Sequence, residues 1–131
     1  MSSRRLLSVV AGISLVYDLA TGLALLVATD RLASLFGAPL PDPVLFAKLN
    51  GLFLIAVGLG YAQPLRDPER HRPYLWVFGT FLKGAGAALF ILDYVLYGSP
   101  VSFLLFAVTD GALAGLTTWA LVRPPTSRAG A

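Results

Sequence analysis

The chain has 131 residues, of which 56% are hydrophobic and only 13% charged, against roughly 25% charged residues in ordinary soluble domains. A water-soluble fold of this size has too little polar surface to cover such a chain, whereas in a bilayer the same side chains face lipid and the length suits one domain of about four spans of about 20 residues. The net charge of +3 does not make nucleic acid a partner, because the basic residues gather at the ends of apolar segments instead of forming an extended basic face.

Cysteine is absent, which removes disulfides, thiol nucleophiles and iron–sulfur ligation. The single histidine, His71, lies in the charged stretch Arg66-Asp67-Pro68-Glu69-Arg70-His71-Arg72 and reads as a solvated loop residue, so no imidazole is expected inside the membrane to hold haem or metal.

The opening Met1-Ser2-Ser3-Arg4-Arg5 and the apolar run behind it begin like a signal peptide, but a signal core is only about 7 to 15 residues long. Here the run continues from Leu6 to Ala28 with Asp18 inside it, so it is expected to stay as the first span, residues 6–28. Asp30-Arg31 ends it. Leu32 to Phe36 then leads into Gly37-Ala38-Pro39-Leu40-Pro41-Asp42-Pro43, whose prolines forbid a continuous helix and predict a turn with a short interfacial helix before it. The second span is expected at 44–63, the third at 74–97 and the fourth at 101–122, the last two joined by the hairpin Gly98-Ser99-Pro100. Residues 123–131 read as a disordered polar tail. The fold class is therefore all-α, a polytopic four-helix membrane bundle.

Positive residues stay on the cytoplasmic side of a span. Arg4, Arg5, Arg66, Arg70, Arg72, Arg123 and Arg128 all fall on one side, against Arg31 and the near-interfacial Lys48 on the other. Both termini and the loop around His71 are accordingly expected in the cytoplasm. Tyr61, Tyr74, Trp76 and Trp119 near one face and Tyr94 and Tyr97 near the other fit aromatic belts. Asp93, near the outer end of its span, reads as interfacial.

An internal repeat is visible at an offset of about one helical hairpin. Phe36-Gly37-Ala38-Pro39 aligns with Tyr97-Gly98-Ser99-Pro100, and Leu45-Phe46-Ala47-Lys48-Leu49-Asn50-Gly51 with Leu105-Phe106-Ala107-Val108-Thr109-Asp110-Gly111. Both hairpins begin on the same side, so the pseudo-symmetry axis should follow the membrane normal, and Asn50 and Asp110 should be mates.

Four polar residues fall near the middle of the spans: Asp18, Asn50, Lys83 and Asp110. An ionised group there costs about 2.5 to 3.5 kcal/mol on insertion scales, so it is paired, neutralised or used. At 1.5 Å per residue from the cytoplasmic ends, Asp18 and Asp110 lie about 18 Å deep, Lys83 about 14 Å and Asn50 about 20 Å. All four can meet in one midplane cluster, the candidate ligand-binding or proton-path site. One lysine faces two carboxylates, so charge balance asks for a protonated Asp, a bound cation or a ligand. The plainer alternative is an interhelical ion pair that only fixes helix register. Gly22, Gly79, Ala87, Gly111 and Gly115 lie within a turn or so of these residues, as close helix contact requires. Tyr17, Phe46, Phe53, Phe81 and Phe106 are candidates to line a pocket beside the cluster, or simply to fill the bundle core. No catalytic triad, phosphate-binding or dinucleotide-binding glycine motif, or metal-spaced motif occurs.

Size, four spans, Arg5 just before the first of them, glycine-rich helices and the lack of cysteine together resemble the DoxX-like group of small bacterial four-helix membrane proteins. That resemblance implies quinone-linked oxidation as a setting and a quinone as a possible ligand, and assigns no active-site residue. The expected function is that of an accessory or assembly subunit without independent catalysis whose polar cluster binds a small amphipathic molecule, a quinone as the resemblance implies or a lipid-like one. The alternative is a proton- or cation-coupled small transporter or channel built on Asp18, Lys83 and Asp110. In either case the expected partners are the bilayer and further copies or subunits of a membrane complex.

Overall fold

The computed structural model describes residues 1–124, so most of the tail expected at 123–131 lies outside the described residues. Four helices are long and apolar enough to cross a membrane: Ser3–Val27, Leu45–Arg66, Arg72–Tyr97 and Val101–Val122. Each follows the expected span closely, and the second runs three residues past its expected end.

Ser2 caps α1 (Ser3–Val27), its side chain accepting a hydrogen bond of 3.2 Å from the Arg5 amide. At Ala28 the backbone leaves helical geometry (φ −137°, ψ 41°), and α2 (Thr29–Leu35) starts again in a new direction, with Asp30 in its first turn. Gly37, at φ 65°, ends α2 in the left-handed conformation that glycine adopts without strain. The prolines behind it hold the chain extended until α3 (Leu45–Gly60) begins.

The second span is interrupted at Tyr61 and resumes as α4 (Ala62–Arg66). Pro64 causes the interruption, because it has no N–H for the Gly60 carbonyl and its ring crowds that residue. The third span opens with α5 (Arg72–Tyr74), passes through a π-helical segment, Leu75–Leu82, and becomes regular at Lys83 in α6 (Lys83–Tyr97). Such a wide segment is rare and was not legible in the apolar pattern. Gly98, at φ 67°, closes α6 as Gly37 closes α2. A single 3₁₀ turn, Val101–Phe103, then leads into α7 (Leu104–Val122).

Adjacent spans run antiparallel. A Cβ added to Gly22 would stand 2.6 Å from the carbonyl oxygen of Gly51, and one on Gly51 would stand 2.7 Å from that of Gly22. The backbones of α1 and α3 therefore touch, as helices in lipid do where small residues meet. In the second hairpin the looser counterpart is Gly111 against the Ala87 Cβ, 3.7 Å from an added Cβ. The mates Gly51 and Gly111 thus both face the preceding helix of their own hairpin, and Gly37 and Gly98 share one conformation, as the repeat leads one to expect.

At the end of the bundle where α1 begins, α7 ends and the 67–71 loop lies, Leu7, Ala11, Val57, Tyr61, Leu75, Ala120 and Leu121 form one buried cluster to which all four spans contribute. Tyr61 is fully buried there, in edge contact with Tyr74 at 5.2 Å between ring centroids. Tyr74 donates a hydrogen bond to the Val57 carbonyl. These two tyrosines are therefore core residues and not belt residues. Tyr61 packs with its hydroxyl buried and unpaired, whereas the half-buried Tyr74 spends its hydroxyl on a carbonyl that also accepts from the Tyr61 amide. Trp76 and Trp119 keep exposed faces. The charged loop is tied down as well: Arg72 donates to the Leu121 carbonyl at 2.6 Å and pairs with Glu69 at 3.1 Å, placing a cation at the carbonyl end of α7.

Candidate functional site

At the opposite end the bundle is not filled. Between α3 on one side and α6 and α7 on the other lies a cavity of about 380 Å³. Its floor carries Tyr17, Asp18, Lys83 and Asp110; Asn50, Phe53 and Leu54 of α3 form one wall, and Leu82, Gly86, Phe90 and Phe106 another. The rim comes from α2 and the proline loop through Leu32, Ala33, Phe36, Pro39 and Pro41. The break at Ala28 places α2 there, since a straight α1 would carry these residues away from the bundle. Ser102 fixes the rim by donating to the Phe36 carbonyl at 2.5 Å.

On the floor, Lys83 Nζ donates to Asp18 Oδ1 at 2.9 Å and stands 3.6 Å from Asp110 Oδ1. The Lys83 and Asp18 side chains are 5% and 3% exposed, whereas Asp110 is 17% exposed and reaches the cavity. The pair with Asp18 is thus a short buried hydrogen bond, while Asp110 is held by charge alone. Asp18 Oδ2 and Asp110 Oδ1 are buried without a hydrogen-bond partner, a costly condition for a carboxylate. The rings of Tyr17 and Tyr61 lie 5.3 and 5.8 Å from Lys83 Nζ, within cation–π reach. Tyr17 Oη and Thr109 Oγ1 are 2.8 Å apart, and Thr109 Oγ1 also lies 2.9 Å from the Leu105 carbonyl. A hydroxyl has one proton; if Thr109 gives its own to that carbonyl, Tyr17 is the donor to Thr109.

Of the four expected polar residues, Asp18, Lys83 and Asp110 meet in one cluster. Asn50 is exposed on the cavity wall and does not join their hydrogen bonds. Of the expected aromatic residues, Tyr17, Phe53 and Phe106 line the cavity. Phe46 and Phe81 do not, being 67% and 69% exposed. Phe81 stands two residues from Lys83, which puts it on nearly the opposite side of the helix. Phe46 lies in the first turn of α3, where Pro39 and Pro41 supply the rim instead. The aromatic residues missed are Phe36, Phe90 and Phe103, which pack with Phe106. The rings of Phe36 and Phe90 stack on that of Phe106 at 4.9 and 5.4 Å between centroids. Spacing held the signal for three of these four: Phe90 is seven residues after Lys83, while Phe106 and Phe103 are four and seven before Asp110, all on the helix faces of the charges.

Among the described residues no group of histidine, aspartate or glutamate is arranged to hold a metal ion. Comparison with family models, with curated proteins and with solved structures gives no match. The functional argument therefore rests on the geometry of the cavity.

Proposed function

We propose that the protein is a small accessory or assembly subunit of a bacterial inner membrane, both termini cytoplasmic, that holds one amphipathic molecule in the cavity between its two hairpins. The cavity carries this reading. Its walls are mainly apolar and aromatic, interrupted by Asn50, Thr21 and Thr29, its charged groups are confined to the floor, and its volume falls in the lower part of the range of small-molecule sites, about 300–1,000 Å³. Such a shape suits a molecule with an apolar body and one polar end, such as a quinone ring or a lipid-like chain. A quinone is suggested by the DoxX-like resemblance and not by the floor itself, whose unpaired Asp18 and Asp110 oxygens are acceptors like the quinone's own. Purification from native membranes into nanodiscs, followed by mass spectrometry of the intact protein, tests the reading: one amphiphile at near unit stoichiometry, absent after Gly86→Phe, supports it. A mass of the bare chain in both proteins refutes it.

A second reading, a proton- or cation-coupled transporter, is favoured by the carboxylate that exceeds the lysine. It requires the apolar seal of Leu7, Leu75 and Leu121 below the cluster to open, since those side chains are at most 3% exposed. Flux into liposomes that disappears with Asp110→Asn would decide for it.

A further inference from the structure

The charges on the cavity floor do not balance, and their imbalance bears on the chemistry of the occupant. Lys83 spends its shortest contact on Asp18, at 2.9 Å, in a pair that is neutral as a unit. Asp110, at 3.6 Å, is left as a carboxylate that the lysine attracts but does not bond. With both acids ionised, two carboxylates against one ammonium leave one negative charge among apolar walls, where screening is weak, and a cationic occupant balances it as the proton of a neutral Asp would. A second observation, independent of that count, points to a ligand. Asp18 is 2% exposed and lines the cavity, yet its Oδ2 has no hydrogen-bond partner. The buried floor therefore offers acceptors without donors, and its one mobile donor group is already shared between two acids.

Anionic and neutral occupants fit this floor poorly. An anion, such as a fatty-acid carboxylate, would meet the surplus charge directly. A neutral molecule without N–H or O–H groups would fill the walls and leave both orphan oxygens unpaired, and one with a hydroxyl would supply a donor but no positive charge. An ammonium group supplies the missing donors and the missing positive charge together. The walls, with the rings of Phe36, Phe90 and Phe106 stacked in sequence, accept an aromatic or alkyl body behind it.

Resting on the reading of the cavity as a ligand site, we propose that its occupant is a hydrophobic organic cation, a protonated amine with an aromatic or alkyl body, whose ammonium pairs with Asp110. The Asp18–Lys83 bond then orients the floor, and Asp110 selects the charge.

Three probes of one shape and three charges test this: 2-(4-fluorophenyl)ethylammonium, 1-fluoro-4-propylbenzene and 3-(4-fluorophenyl)propanoate. Each is titrated by ¹⁹F NMR into the protein in nanodiscs of zwitterionic lipid, with empty nanodiscs subtracted for partitioning. The cation is expected to bind at least about tenfold more tightly than either of the others. Asp110→Asn, which leaves the Asp18–Lys83 pair in place, is expected to reduce that preference to within about threefold. The wild-type comparison needs no variant, so a poorly folding Asp110→Asn does not spare the proposal. Neutral or anionic probe binding as tightly as the cation overturns the charge assignment and keeps the cavity as a ligand site. Failure of all three to bind above the empty nanodiscs overturns the cavity reading together with it.

Discussion

Lys83 and Asp18 are 65 residues apart in sequence, and their side chains meet at 2.9 Å with both ends buried. The bond crosses from the third span to the first and so joins the two hairpins at the level where the cavity begins. Removing Lys83 leaves two carboxylates without a cation, and breaking a buried pair in this way costs about 3 to 5 kcal/mol, whereas neutralising Asp18 leaves Lys83 with Asp110 at 3.6 Å. Lys83→Met should destabilise the protein by that order and Asp18→Asn by less, and Asp18→Leu combined with Lys83→Met should recover part of the loss, the part-exposed Asp110 remaining without its cation. Unfolding in detergent followed by circular dichroism reads all three. Full stability of Lys83→Met would show that the bond does not hold the hairpins together.

Glycines in this chain are not equivalent, and their neighbours rank them. At Gly22 and Gly51 an added Cβ would meet the backbone of the partner helix, whereas at Gly115 it would meet nothing within 4 Å. Gly22→Ala and Gly51→Ala should therefore lower stability by about 1–3 kcal/mol through overpacking. Gly115→Ala should leave it unchanged or raise it by up to about 1 kcal/mol, through helix propensity. The same unfolding assay compares them, and equal effects at Gly22 and Gly115 would mean that α1 and α3 do not touch at their glycines.

The proposed orientation rests on the arginines, and the absence of cysteine makes it simple to measure. Ser2→Cys and Arg70→Cys should resist a membrane-impermeant maleimide applied to intact spheroplasts until the cells are opened. Ser99→Cys should react at once. Labelling of the Ser2 or Arg70 position from outside would invert the proposed topology.

The four spans, the meeting of Asp18, Lys83 and Asp110 in one cluster and the repeat were legible because each is written in local signals: long apolar runs, costly midplane charges and the recurring Gly-x-Pro turns at Gly37 and Gly98. The cavity was not. It exists because α1 breaks at Ala28 and lays α2 across the end of the bundle, and because α3 packs on α1 and leaves its other flank free; neither follows from hydropathy. The π-helical stretch before Lys83 was hidden for a related reason, since six apolar residues broken only by Gly79-Thr80 carry no mark of helix width. Tyr61 and Tyr74 were misassigned to the interface because position along a span does not say which way a ring points, and here the carbonyl of Val57 drew Tyr74 inward.

The central claim is that the cavity admits a small apolar molecule, and photolabelling tests it most directly. The protein in nanodiscs is irradiated with an iodophenyl trifluoromethyl diazirine, and modified residues are mapped by tandem mass spectrometry. Wild type should be labelled at Phe90 and Phe106 within the cavity as well as at Phe81, which is 69% exposed on the outer surface. Gly86→Phe puts a ring where nothing lies within 4 Å of an added Cβ, so it should fill the cavity without disturbing the backbone. Labelling at Phe90 and Phe106 should then fall at least about tenfold while Phe81 is unchanged. Phe90 and Phe106 left unlabelled in wild type beside a labelled Phe81, or labelled equally in both proteins, would contradict the account.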